Sequence, residues 1–359
     1  MDFALGDDLD LVIETTRKLA EDVLAPELRE SEHARSVSPE LRAAWNEIGL
    51  AALDAPEEVG GAELGCLARM VVNEELAAAD AGAAIALDPY GPALACVFEV
   101  GGKQAAIDFI QSLPIENPRA LFLSELDANV SVNDGQVTLD APWVAADSAD
   151  AIVLLLENEV VVLREDFSFT PLRGAGLRAA GASRLRADLA PIAARWEDAD
   201  GASRALGRAR LYYASLLVGV MRAACDFSAQ YAQEREAFGK PIAHHQALAF
   251  LIAEMRMSLD ATRLLVRHAA WRADAGLSFC VEASSAWAEC IDVSRTLGPN
   301  AVQILGGHGF MADYPVEKYM REARALGLVC GGFDAAIEHA GQFLVGSTEP
   351  LALSSLGAQ

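Results

Sequence analysis

The sequence predicts an α+β chain in three parts: an N-terminal helical domain over 1–112, a small middle β-domain over 113–199 and a C-terminal four-helix bundle over 200–359. Three observations carry this. Apolar residues recur at helical spacing towards both ends, the middle changes to short β-branched runs, and Asp-Gly punctuation there marks a hairpin.

In the first part, Leu9–Val23, Pro39–Ile48 and the Ala-rich stretch Met70–Ala79 read as helices. Ser38 stands before Pro39 as a candidate N-cap, with proline at the first helical position. Turn-like breaks fall at Pro56–Gly61 and Asp88–Pro92.

In the middle, Asn133-Asp134-Gly135 separates Val130–Val132 from Gln136–Leu139, a hairpin signal. Ala151–Leu156 and Val160–Leu163, separated by Glu157-Asn158-Glu159, read as a second hairpin. From about 200 the helical signal returns. Leu206–Glu236 is apolar on nearly all sides, as in the centre of a bundle. Leu248, Leu251, Ile252, Met255 and Leu259 follow the i, i+3, i+4 rule, and a further helix from about Phe279 to Leu305 is expected to be kinked or interrupted at Gly298-Pro299.

Composition narrows the function. With 359 residues, 52% hydrophobic and 22% charged, the chain has ample material for a core and is not disordered. A net charge of −24 argues against nucleic-acid binding but permits an anionic nucleotide received by local arginines. Apolar runs such as Ile152–Leu156 are far below the roughly 20 residues of a membrane helix. The N-terminus MDFALGDDLD resembles neither a secretory signal nor a transit peptide, so a cytoplasmic location without a membrane partner is expected. Cys66, Cys96, Cys225, Cys280, Cys290 and Cys330 are scattered without CxxC, and read as reduced, mostly buried thiols.

Two C-terminal segments stand out. Tyr231-Ala-Gln-Glu-Arg235-Glu-Ala-Phe238-Gly239-Lys240-Pro241-Ile242 leads through His244-His245-Gln246 into the next helix. Gln303-Ile-Leu-Gly306-Gly307-His308-Gly309-Phe310 continues to Tyr314-Pro315-Val316-Glu317-Lys318 and Arg321. Glycine clusters allow close backbone approach to a ligand, and a guanidinium can clamp a pyrophosphate. On spacing alone such glycine clusters are usually just helix C-caps and turns.

Together these segments resemble the paired C-terminal signature of the acyl-CoA dehydrogenase family. Asn46-Glu-Ile-Gly-Leu50 and Ala55-Pro-Glu-Glu-Val-Gly-Gly61 resemble its N-terminal helical domain. The resemblance implies two helical domains flanking a β-domain, tetramers with FAD across a dimer interface, an acyl-CoA substrate and an electron-accepting flavoprotein. In such enzymes a base removes the α-proton while the β-hydride moves to the flavin. By position, Arg235 matches the arginine at the FAD pyrophosphate, Phe238 the aromatic beside it, and Gln303, Gly306 and Gly307 the residues on the adenosine side. In the family these groups reach a cofactor seated mainly on the neighbouring subunit.

The middle departs from the pattern. Where the family has Thr-Glu-Pro followed by Gly-Ser-Asp, this chain has Leu123-Ser124-Glu125-Leu126-Asp127-Ala128-Asn129. Ala141-Pro142-Trp143-Val144-Ala145-Ala146 keeps a tryptophan but loses the hydroxyl and amide expected near the ring. Trp143 reads as a flavin-stacking residue or as core. The two positions at which the family places its catalytic glutamate are Cys330 and Ala209 here. Asp334 is the nearest substitute acid, though a surface helix acid is an alternative, and a Cys330 thiolate would need a depressed pKa.

Two functions stay open on these residues. One is a self-sufficient homo-oligomeric dehydrogenase with an unorthodox base such as Asp334. The other is the non-catalytic partner in a hetero-oligomer, possessing the groups offered to a neighbour's FAD and lacking those on its own side. It resembles the paired subunits, expected as heterotetramers, that oxidise steroid-type acyl-CoA thioesters in some bacteria. The pattern of losses favours the second, within fatty acid or steroid catabolism. A di-iron helical oxidase is a remote third reading, since Glu30 and His33 have Glu-x-x-His spacing but no second such motif accompanies them.

Overall fold

A computed structural model describes residues 5–346. Helices α1 (Asp7–Leu19) and α2 (Ala25–Ala34) are joined by a π-helical stretch, Ala20–Leu24, just before Pro26, whose missing N–H removes one ladder bond. Next come α3 (Pro39–Ile48), α4 (Cys66–Leu87) and α5 (Gly91–Gln111). Ser38 Oγ accepts from Leu41 N at 3.1 Å and caps α3 as its sequence predicts. Inside α4, Asp80 leaves helical geometry (φ −158°, ψ 109°) and its carboxylate accepts from Ala83 N at 3.0 Å, so it caps the second half of its own helix.

The strands are β1 (Ala120–Ser124), β2 (Asn129–Asn133), β3 (Gln136–Val144), β4 (Ala151–Leu155), β5 (Glu159–Leu163), β6 (Phe167–Pro171) and β7 (Ser183–Glu197). They form one sheet in the order β1-β4-β5-β7-β3-β2, with β6 also on β7. Both expected hairpins are present, β2–β3 and β4–β5. Asp134 and Gly135 both have positive φ (49° and 77°), as a twisted two-residue turn requires. β7 is the long shared strand: its first half pairs with β3 and β6, its second half with β5. Leu139, Ile152, Leu154, Val161, Leu163 and Leu185 fill the space this bend encloses.

The chain then returns to helix: α6 (Ala199–Glu234), α7 (Gln246–Asp274), α8 (Cys280–Leu305), α9 (Val316–Leu326) and α10 (Gly332–Gly346). The four longer ones, α6, α7, α8 and α10, form the bundle, with short α9 against it. A two-stranded clip, β8 (Glu236–Ala237) and β9 (Lys240–Pro241), links α6 to α7. Two expectations need correction. α6 stops at Glu234 because Arg235 is extended (φ −77°, ψ 120°) and starts the clip. α8 runs through Gly298-Pro299 without interruption. Gly298 serves packing there, since a Cβ would lie 3.3 Å from the Met320 Cα of α9.

α4, α6 and α8 carry one large core through both helical parts, including Leu76, Leu211, Leu217, Met221, Trp287 and Leu297. Among the described residues no single helix is long and apolar enough to cross a membrane.

Candidate functional site

Two sites emerge. The first is an outward edge built where α6 ends and α8 ends. Arg235 closes α6: its N–H donates to Tyr231 O at 2.8 Å, and its carbonyl accepts from Ile242 N at 2.8 Å, which shapes the clip. Phe238 sits at the clip's tip in left-handed backbone (φ 55°), with 97% of its surface exposed. Its ring meets His245 edge-on at 6.0 Å. Burial cannot be what keeps an aromatic in this position.

The opposing part of the edge is the turn Gly306–Phe310 after α8. Gly306 has φ 59° and ψ −129°, and nothing lies within 4 Å of where a Cβ of Gly306 or Gly307 would be. Gln303, Gly306 and Gly307 are exposed, as is Arg235. Arg235 pairs with no acid among the described residues. One contact joins the two parts: Tyr231 Oη lies 2.8 Å from His308 Nδ1, and His308 stacks on Tyr314 (5.0 Å, 10°).

The second site lies between the sheet and the bundle. A cavity of about 340 Å³ is walled by Trp143 and Val144 on β3, Phe122 on β1, Tyr213 on α6 and Val329 and Gly331 before α10. Its one acid is Asp127. The Asp127 carboxylate accepts from Cys330 N at 2.9 Å and Gly331 N at 2.8 Å. Burial pushes this carboxyl above its usual range, against the pull of the two amides and of Arg210. A neighbouring cavity of about 530 Å³ is lined by Arg210, Ser284, His339, Glu125 and Glu157. Arg210 is 1% exposed and reaches Ser284 Oγ at 2.7 Å, His339 Nδ1 at 3.0 Å and the Cys330 carbonyl at 3.4 Å.

Family models match this chain on both sides of the sheet. Residues 6–104 match the N-terminal domain of acyl-CoA dehydrogenases and residues 200–339 the C-terminal domain. The chain belongs to the acyl-CoA dehydrogenase family. This is a family of FAD-dependent oxidoreductases, and the expected fold is the observed one: helical, β, helical. A protein described as a probable acyl-CoA dehydrogenase of Mycobacterium leprae is 27% identical over 90% of this chain and 91% of its own length. Another of Bacillus subtilis is 39% identical over 117 residues, 33% of this chain and 31% of that protein. The solved butyryl-CoA dehydrogenase of Megasphaera elsdenii is 25% identical, with a TM-score of 0.84 covering 96% of this chain and 100% of that one.

Against the acyl-CoA dehydrogenase frame, the five residues expected at a neighbour's FAD gather on the outward edge. Trp143, the sixth cofactor candidate, lines the inner cavity instead, which none of the five lines. Both expected base positions lack an acid: Ala209 is packed within the core and the Cys330 side chain is buried beside it. Burial pushes the Cys330 thiol well above its ordinary value, opposing a thiolate base. Asp334 is exposed on α10 and lines neither cavity, a position that does not fit a proton acceptor at Trp143. Glu30 and His33 are exposed, and among the described residues no group of three or more His, Cys, Asp or Glu has metal-binding geometry.

A flavin ring fits the inner cavity poorly. Its one acid is already committed to two amides and Ala145 offers no side-chain donor, which leaves only the Tyr213 hydroxyl and the Trp143 indole N–H to meet a ring. The outer edge fits a pyrophosphate and adenosine better, with a free guanidinium, an exposed ring and open glycine backbone. Sequence reasoning did not find Asp127, Tyr213 or the Tyr231–His308 bond. Asp127 stood in plain view within the departed loop, but its partner amides are more than 200 positions away.

Proposed function

We propose that this chain is a subunit of an FAD-dependent acyl-CoA dehydrogenase complex and works as the non-catalytic partner that clamps the cofactor across the subunit interface. One observation carries this: Arg235, Phe238, Gln303, Gly306 and Gly307 all face outward, while the chain's own base positions, Ala209 and Cys330, are acid-free and packed in core. Arg235 would hold the pyrophosphate by charge-assisted hydrogen bonds and Phe238 would pack beside it. Gly306 and Gly307 would let backbone approach the adenosine side, with Gln303 bonding there. Bound FAD supplies the acceptor for the β-hydride of an acyl-CoA thioester. The homologous partner would contribute the carboxylate that takes the α-proton, and an electron-accepting flavoprotein would draw off the electrons.

The outer face of α7 favours a partner. Phe250, Met257, Leu264 and Trp271 recur every seven residues and are exposed, which is the spacing of a helix seam awaiting another helix. A homotetramer would cover the same seam. The alternative is therefore a homo-oligomer using an unorthodox base such as Asp334.

Dye-coupled oxidation of acyl-CoA thioesters, from butyryl to steroid-type, tests the proposal. The chain should be inactive alone and active only when co-purified with a family homologue encoded beside it. Turnover by the lone chain that falls at least a hundredfold in Asp334→Asn would overturn it in favour of the alternative.

A further inference from the structure

We propose that Asp127 is a specificity-determining residue that shuts this chain's own interdomain cleft and excludes acyl thioesters from Trp143. The inference deepens the subunit reading and rests on it only for the cleft being idle in turnover. The closure itself is a matter of geometry.

Asp127 ends a one-turn helix, Glu125–Asp127, between β1 and β2, and Ser124 Oγ braces that turn by accepting from Leu126 N at 3.2 Å. Opposite it, Cys330, Gly331 and Gly332 have three successive left-handed φ values, 56°, 74° and 63°. Successive amides of a tight turn can converge on one anion and form a concavity for it. Here that concavity is filled from within, the two carboxylate oxygens of Asp127 taking one amide each. The contact joins the middle of the chain to the start of α10.

Leu126 tightens the same closure. A Cβ on Gly331 would lie 3.1 Å from Leu126 Cβ, so the loop presses directly on the turn. Leu126 also walls both cavities, the one around Trp143 and the one around Arg210. The Asp127 contact therefore stands where the two would join into one cleft. Beyond it, Glu125 and Glu157 flank the Arg210 cavity, and in the adjacent groove Glu159, Glu197 and Asp198 outnumber Arg195, which pairs with both glutamates. An acidic approach repels the phosphates of a nucleotide thioester, and the closed turn stops its acyl end.

Asp127 could instead be read as a proton-accepting base, being the single acid in the Trp143 cavity. Both its oxygens are already committed to amides of the chain, which favours closure. The experiment separates the two.

Hydrogen exchange of the 328–333 amides should be measured on the full chain, alone and with its partner. In wild type the Cys330 and Gly331 amides should be slow. Asp127→Ala should speed them at least tenfold while β4 and β5 stay protected. It should also give saturable binding of butyryl-pantetheine, a thioester without the nucleotide phosphates, which wild type lacks. Asp127→Asn is isosteric and leaves one amide without an acceptor, so it should show the same direction if the alanine variant folds poorly. Leu126→Ala, which retains the carboxylate, should change exchange less than about threefold.

Unchanged exchange in both Asp127 variants would overturn the inference. So would equal opening by Leu126→Ala, which would assign closure to packing. Loss of lone-chain turnover in Asp127→Asn would make Asp127 a base and overturn it too. Exchange reports the closure wherever the flavin resides, so failure here is distinguishable from failure of the subunit reading.

Discussion

The Tyr231 hydroxyl and His308 Nδ1 meet at 2.8 Å, fastening the last turn of α6 to the turn that follows α8. Four residues after Tyr231 stands Arg235, and just before His308 stand Gly306 and Gly307. The bond therefore sets the distance between the two parts of the outer edge. Tyr231→Phe keeps the ring packing against His308 and Tyr314 and removes only this bond. A neutral hydrogen bond contributes about 0.5–1.5 kcal/mol, so FAD binding to the assembled complex should weaken, its Kd rising roughly two- to tenfold. Fluorescence titration of the apo-complex measures it; an unchanged Kd would remove Tyr231 from the clamp.

Arg235→Ala should weaken FAD binding further, by about 1.5–3 kcal/mol, because the lost bonds are charge-assisted. Arg235→Lys should recover part of that, since a lysine cannot present the planar fork. Turnover at saturating FAD should change little in either variant. Titration and kcat on the same preparations check both statements, and a fall in kcat with Kd intact would place Arg235 in the chemistry.

A buried triad gives a pH prediction. Lys318 Nζ lies 3.0 Å from Asp80 and bonds Glu322, one cation between two buried acids. Burial pushes the Glu322 carboxyl from its ordinary 4.5 up to about 7, while Lys318 pulls the other way. The folded chain thus holds this proton more tightly than the unfolded one. Its contribution to stability is complete below about 4.5 and is lost as the pH rises through about 7. Glu322→Gln should flatten the decline of Tm between those values. A wild-type slope persisting in the variant would contradict this assignment.

Gly219 lies where α6 crosses α4. A Cβ there would press on the Glu74 carbonyl and come within 2.9 Å of Ala77 Cβ. Gly219→Ala should cost about 1–3 kcal/mol through overpacking, read from urea unfolding. A neutral result would mean the helices can part at this crossing.

Local chemistry is what made much of this legible in the sequence. Ser38 before Pro39, Asp134-Gly135 between two runs and the all-round apolar stretch of α6 each declare their element through neighbours a few residues apart. The outer edge was readable for the same reason, since Arg235, Phe238 and the Gly306-Gly307 pair lie in two short segments. β7 was harder, because Ser183–Glu197 changes partners midway around Pro191. Pro299 misled in the other direction: α9 packing on Gly298 supports a helix that local propensity would break. Asp127 was hidden most thoroughly. Its role depends on two amides made available by three left-handed residues near α10, and nothing around Asp127 in sequence signals them.

Where the flavin resides is read most directly from the FAD-to-chain ratio. Absorbance and total protein should be measured on the chain expressed alone and co-expressed with its homologous partner. The lone chain should carry little flavin and the complex about one FAD for each pair of subunits. One FAD per chain in the protein expressed alone would contradict it.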